Sequence, residues 1–272
     1  MRRTLPMLPT ALTLAATLGL IFHGPIAQLA HFHDFADARG LAGIANAADV
    51  LSNIPFALVG IWGLVRLAGA REHPALSRGW AGYMLFFAAL VLTAIGSSWY
   101  HLAPDNTRLI FDRLSIALAS AGLLAAVQAE TTRLRSSVFS TVMLTAAAIA
   151  SVGWWAWSDR ILVGDLRFYL LIQAGPIVLI PLWQWIYRAP KADRIAFALA
   201  IGCYVLAKGA ELADHQILQA LHVVSGHTLK HLLAALGTAI VAWQVTRRVA
   251  VASPRLLGSP RDRAFGSRPH VG

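Results

Sequence analysis

The chain has 272 residues, 57% of them hydrophobic and 13% charged, with a mean hydropathy of +0.60. A soluble domain carries about 25% charged residues, so a soluble enzyme is excluded and an integral membrane protein is indicated. Nine Trp, 21 Gly and 12 Pro agree, because Trp gathers at membrane interfaces and Gly and Pro are commoner in spanning helices than in soluble ones. A single cysteine, Cys203, inside an apolar run, excludes a disulfide scaffold. The formal net charge of +10 would suggest nucleic-acid binding in a soluble chain, but the basic residues fall in short loops and the C-terminal tail. There they are first a topology signal.

A spanning helix needs about 20 mostly apolar residues, and eight stretches qualify: 5–22, 47–68, 79–102, 109–129, 136–157, 166–187, 195–212 and 226–246. Continuous apolar runs of this length predict helices, since a backbone in hydrocarbon must satisfy its own polar groups. The alternating polarity of barrel strands is absent. The predicted fold class is therefore all-α, a polytopic membrane helix bundle with a seven-helix core and one extra N-terminal helix. With the N-terminus cytoplasmic, sixteen Lys and Arg fall on the inner side and five on the outer, which orients both termini inward. Residues 1–22 read as an added spanning helix or a signal-like segment, with the long apolar stretch favouring a retained helix. Residues 23–250 read as the core, and 251–272, rich in Pro, Gly, Ser and Arg, as a disordered basic cytoplasmic tail. The compact loops fit a bacterial cytoplasmic membrane.

Ionisable groups within spans are costly and mark either a site or a buried pair. Here they gather at one membrane face. His31, His33, Asp34 and Asp37 lie in the external loop that leads to Asn46, Asp49, Ser52 and Asn53 at the start of the second span. Ser97 and His101 close the third span, Asp112 opens the fourth, and His227 and His231 open the eighth. Ser97 and His101 are four residues apart, as are His227 and His231, so each pair shares a helix face. Two histidines at that spacing with a third from another helix make three protein ligands and an open position, the build of a catalytic zinc site. Taken singly, each piece has a plainer reading: a packed histidine pair, an interfacial histidine beside Trp99 and Tyr100, an Asp112–Arg113 ion pair. Coincidence of depth and side across three helices favours the metal site. Lys208 and Glu211 read as an intramembrane pair with Asp214 as its neighbour, Pro176 and Pro181 as kinks in the sixth span, Trp154, Trp155 and Trp157 as an interfacial belt, and His215 and His222 as external loop residues.

Gly96-Ser97-x-x-x-His101, Asp112 eleven residues later, His227-x-x-x-His231 and the earlier Ser52-Asn53 resemble the alkaline ceramidase family. That family belongs to a superfamily of seven-helix membrane hydrolases that also includes the adiponectin and progestin receptors. The resemblance covers about His33 to Gln244. It implies zinc held by His101, His227 and His231, with Ser97 and Asp112 contacting the metal's water or the substrate. It also implies calcium near the start of the core, for which Asp34, Asp37, Asn46 and Asp49 are the nearest matches, though the loop carries fewer acids than the family pattern and Asn46 stands near an expected carboxylate. The implied activity is hydrolysis of ceramide or a related N-acyl lipid by a metal-dependent amidase, with Asp112 as general acid and base and Ser97 as oxyanion donor.

A receptor-like or regulatory protein with a structural zinc and little turnover is the alternative, and Ser97 and Asp112 argue against it because a structural site needs neither. A transporter would show midplane polar residues and repeat symmetry, which are absent. The expected partners are the lipid bilayer and its lipid substrate, with no nucleic acid and no obligate protein partner.

Overall fold

Backbone groups in a hydrocarbon layer must pair within their own segment, and the apolar runs do so as helices. A computed structural model describes residues 4–252; the expected basic tail, from 253 onward, lies outside the described residues. In chain order the helices are α1 (Leu8–His23), α2 (Ala47–Leu51), α3 (Ile54–Leu67), α4 (Trp80–Leu102), α5 (Asn106–Thr131), α6 (Val138–Ile161), α7 (Arg167–Ile186), α8 (Lys191–Leu212), α9 (Asp214–Leu221) and α10 (Gly226–Ala252). Among the described residues the only extended pairings are the isolated bridges Ala27–Asp165 and Leu41–Ile44. Eight helical segments are long and apolar enough to cross a membrane, with α2 and α3 counting as one. The protein is an all-α polytopic bundle, as its composition demanded, and fits a multi-pass membrane protein.

Two elements differ from the sequence expectation. The second span is not one helix but two, broken at Ser52-Asn53, because Pro55 has no N–H to donate and its ring displaces the carbonyl four residues back, that of Leu51. The segment after the seventh span, expected as an external loop, contains the two-turn helix α9, which carries His215 and ends at His222 in the left-handed conformation.

Small residues bring α4 and α5 into backbone contact. A Cβ on Gly82 would stand 2.5 Å from the Ala126 nitrogen, and one on Gly122 would stand 2.6 Å from the Phe86 nitrogen. Close approach at small residues, rather than exclusion of water, is what holds helices together in lipid. The outward faces carry exposed Leu58, Val65, Ile95, Phe139 and Leu206, as a lipid-facing surface requires. α1 buries only Pro9 and is held to α7 at its C-terminal end, where Arg167 donates to the carbonyls of Leu20 and Ile21 and Asp165 accepts from the Ile26 N–H.

The α4/α5 contact yields a direct expectation. Gly82→Ala and Gly122→Ala should each lower the thermal midpoint of the detergent-purified protein, because backbone atoms have to move apart. Gly202→Ala, with nothing within 4 Å of its Cβ, should leave the midpoint unchanged or raise it, since Ala favours a helix over Gly by about 0.5–1 kcal/mol. Equal effects at all three positions would refute the close-packing account.

Candidate metal centre

The break before Pro55 shapes the centre. In a continuous helix the Asn53 N–H would bond the Asp49 carbonyl; here it bonds Val50 instead. The freed Asp49 carbonyl accepts from the Ser52 hydroxyl at 2.9 Å and the Asn53 amide at 2.9 Å. Because the Ser52 proton is committed to Asp49, the 2.8 Å contact between Ser52 Oγ and His231 Nδ1 has the imidazole as donor. Nδ1 of His231 therefore carries the proton and Nε2 is left with its lone pair, the tautomer a metal ligand needs.

Helix ends deliver the other two imidazoles. His101 lies at the C-terminal end of α4, its backbone carbonyl taking the Asn46 amide at 2.7 Å. His227 lies at the start of α10, where the Ser225 hydroxyl accepts from the Thr228 N–H and the Asp214 carboxylate accepts from the His227 N–H at 2.7 Å. Gly226 makes that start possible, since a Cβ there would lie 2.0 Å from the Ala210 carbonyl oxygen. All three histidines are buried, and one ring nitrogen from each lies within 4.8 Å of the other two.

One pair of these nitrogens has the spacing that a tetrahedral ion needs. Two nitrogens about 2.05 Å from a tetrahedral zinc stand roughly 3.3 Å apart, and Nε2 of His101 and Nε2 of His227 are 3.2 Å apart. Three buried histidines thus could hold a metal ion, with His231 supported behind by Ser52. Nδ1 of His101, by contrast, is buried with no hydrogen-bond partner.

Ser97 and Asp112 meet beside this cluster. The Ser97 hydroxyl lies beside the Asp112 carboxylate, an approach permitted by the neighbouring Gly96, whose Cβ would stand 2.9 Å from the Phe111 carbonyl. Ser97, Asp112 and His231 all line a cavity of about 350 Å³. Its remaining wall is largely apolar and runs down α4 to Phe86, α5 to Leu123 and α10 to Val241. Eleven residues separate Ser97 from Phe86, or about 16 Å of helix. Lys208 and Lys230 also line it, both paired with Glu211, Lys230 at 2.7 Å; the expected Lys208–Glu211 pair is thus a triad. Trp155 is fully buried while Trp157 is exposed.

The four residues expected at a calcium site are engaged separately. Asp37 is gripped by the Arg39 guanidinium through two 2.7 Å contacts, Asn46 holds the His101 carbonyl, Asp49 accepts from Thr228 at 2.6 Å, and Asp34 faces outward. Among the described residues the histidine trio is the group of His, Cys, Asp and Glu that could hold a metal. Arg39 reaches on to the carbonyls of His222 and Val223, and Asp214 takes the Ala36 N–H. Together they dock the loop so that Phe35 packs 4.7 Å from His101 and 4.3 Å from His227, ring centre to ring centre.

Sequence reasoning missed three of these roles: Ser52 as the support of His231, Asp214 as the anchor of His227 and the loop, and Phe35 as the cover. Ser52 was traceable through Pro55, which forces a break there. Asp214 and Phe35 act over distances in sequence that no local pattern reports. Comparison of the chain with models of protein families, with curated proteins and with solved structures gave no match.

Two measurements follow. Ser52→Ala removes the support of one ligand, so metal affinity, read by chelator competition, should drop about 10- to 100-fold with the fold intact; an unchanged affinity would contradict the tautomer assignment. The Arg39 hydrogen bonds hold the Asp37 carboxyl below its usual value, against the opposing effect of burial. A depressed carboxylate stabilises the fold fully above the unfolded value of 3.8 and ceases to do so as pH falls through the folded value. Arg39→Ala should therefore lower the thermal midpoint near neutral pH, and the gap to the unaltered protein should narrow on acidification below the ordinary carboxylate range.

Proposed function

We propose that the protein is a zinc-dependent amide hydrolase acting on N-acyl lipids, ceramide or a relative, from within the membrane. The observation that carries this reading is the convergence of three buried imidazoles with a Ser97–Asp112 pair at the head of a long apolar cavity. A zinc ion held by His101, His227 and His231 would lower the pKa of water to about 7 and polarise a carbonyl. The cavity orients the acyl chain along the bundle so that the amide lies at the polar end. Asp112 takes the proton of the attacking water and returns it to the leaving amine; Ser97 donates to the developing oxyanion, and Phe35 limits water entry from the loop side. The charge asymmetry of the loops supports an external orientation of this end of the bundle and a cytoplasmic C-terminus. The ordered Ser, His and Asp pattern, which resembles that of the alkaline ceramidases, supports the same chemistry.

Phe35 lying against two ligands favours a second reading, a receptor-like protein with structural zinc. Purification in detergent with metal analysis and an assay on a panel of N-acyl lipids separates the two. About one zinc per chain and turnover are expected, and His231→Ala should lose both. Ser97→Ala should keep zinc and lose about 10²–10³ in rate, and Asp112→Asn should keep zinc without turnover. Full zinc occupancy with no turnover of any lipid would replace the hydrolase reading with the receptor-like one.

A further inference from the structure

Arg113 is a buried cation that the chemistry above does not use. It lies one residue past Asp112 on α5, is only 3% exposed, and lines the same cavity as Ser97, Asp112 and His231. Its guanidinium carbon is 4.0 Å from the ring centre of Trp155, 5.0 Å from that of Phe32 and 5.4 Å from that of Tyr169. Nη1 has no hydrogen-bond partner, and no ion pair to Arg113 forms among the described residues. Its sequence neighbour Asp112 lies beside Ser97, and neither Asp112 nor Asp159, the nearest acids, comes within ion-pair distance of the guanidinium.

Arginine keeps its proton in any protein setting, and a charge out of water is costly unless paired. Stacking on aromatic faces returns only part of that cost. Even the half-buried arginines are matched: Arg248 pairs with Glu130 and Arg167 with Asp165. Lys208 and Lys230 share the single carboxylate of Glu211, so the charged side chains lining the cavity are three cations against two acids, Asp112 and Glu211. An anion is what this polar end lacks.

We propose that the cavity takes an N-acyl lipid whose amine half carries a compact oxyanion, carboxylate or phosphate, and that Arg113 binds it. The planar guanidinium fork suits either group. The acyl chain would occupy the apolar length toward Phe86 and Val241, leaving the oxyanion beside the aromatic box. This proposal rests on the amide-hydrolase reading and narrows its substrate class; neutral headgroups such as a plain hydroxyethyl would be poor ligands.

The test uses zinc-loaded protein in detergent and uncleavable ketomethylene isosteres of N-dodecanoylglycine, N-dodecanoyl phosphoethanolamine and neutral N-dodecanoylethanolamine, with binding read by calorimetry. At least one anionic isostere should bind at least about tenfold tighter than the neutral one, and the tighter of the two names carboxylate or phosphate. Arg113→Met should erase the preference while leaving neutral binding unchanged, and Arg113→Lys should keep part of it. If the Met variant fails to fold, the Lys variant decides, and an undiminished preference there overturns the proposal. No preference in the unaltered protein overturns it too, as does dodecanoate binding as tightly as the anionic isosteres, because the guanidinium would then read a fatty-acid carboxylate. Turnover of the parent amides is assayed separately. An Arg113-dependent preference without turnover leaves the anion site standing and removes the hydrolase reading, whereas equal turnover of neutral and anionic amides does the reverse.

Discussion

The carbonyl of Asp49 is the group on which the centre depends. Pro55 deprives the second span of one ladder bond and displaces another, leaving an acceptor in a medium with no water to quench it. Ser52 and Asn53 converge on that oxygen, and His231 meets Ser52 behind it. The consequence reaches beyond local satisfaction: a carbonyl can only accept, so the Ser52 hydroxyl spends its proton there, the His231 nitrogen that meets Ser52 must donate, and the opposite nitrogen is left free. One proline in an apolar helix thereby sets the protonation of a histidine 176 residues later in the chain. With His231 fixed, His227 follows one turn earlier on the same face of α10, and His101 is met at 3.2 Å from His227.

The bundle is tight on one side and hollow on the other, and both follow from residue size. Between α4 and α5, glycines at 82, 96 and 122 bring backbones together, which rigidifies the two helices that carry Ser97, His101 and Asp112. Farther in, α5, α7, α8 and α10 stand around a cavity of about 350 Å³. A volume of this order is typical of ligand pockets, about 300–1,000 Å³. Its long apolar wall matches an alkyl chain, and its charged end matches the part of a lipid that stays near the headgroups.

Most of the fold was legible because hydrocarbon leaves so few options: length and apolarity alone give the spans and their helical state. The site was legible where chemistry lies on one helix, as with His227 and His231, or on two spans joined by a short connection, as with His101 and Asp112. It was not legible where contacts close over long separations. Asp214 looked like an appendage of the Lys208–Glu211 pair, yet it anchors both the first turn of α10 and the loop at Ala36. Lys230, placed within a span by its sequence, joins that pair from another helix. Asp37 looked like an oxygen donor for calcium, yet its carboxylate is held by a guanidinium two residues away. Composition cannot say whether an acid in a loop will meet a metal or an arginine.

The distribution of partners among the acids at this end of the bundle separates those locked to a cation from those that are not. Asp37 is held by Arg39, and Asp105 by the Arg108 backbone and guanidinium. At Asp165 burial acts to raise the carboxyl pKa, but the Arg167 guanidinium and the Trp154 indole override it and leave the group well below the usual carboxylate range. An acid locked to a cation in this way keeps its charge and holds geometry, but it cannot take up a proton near neutral pH. Asp49 and Asp112 are not locked to a cation: Asp49 accepts from the Thr228 hydroxyl and stays behind the cavity wall, whereas Asp112 lines the cavity and the cation next to it in sequence is turned into an aromatic box. A carboxylate so placed faces whatever occupies the polar end of the cavity, and on that placement the general-base role proposed for it rests.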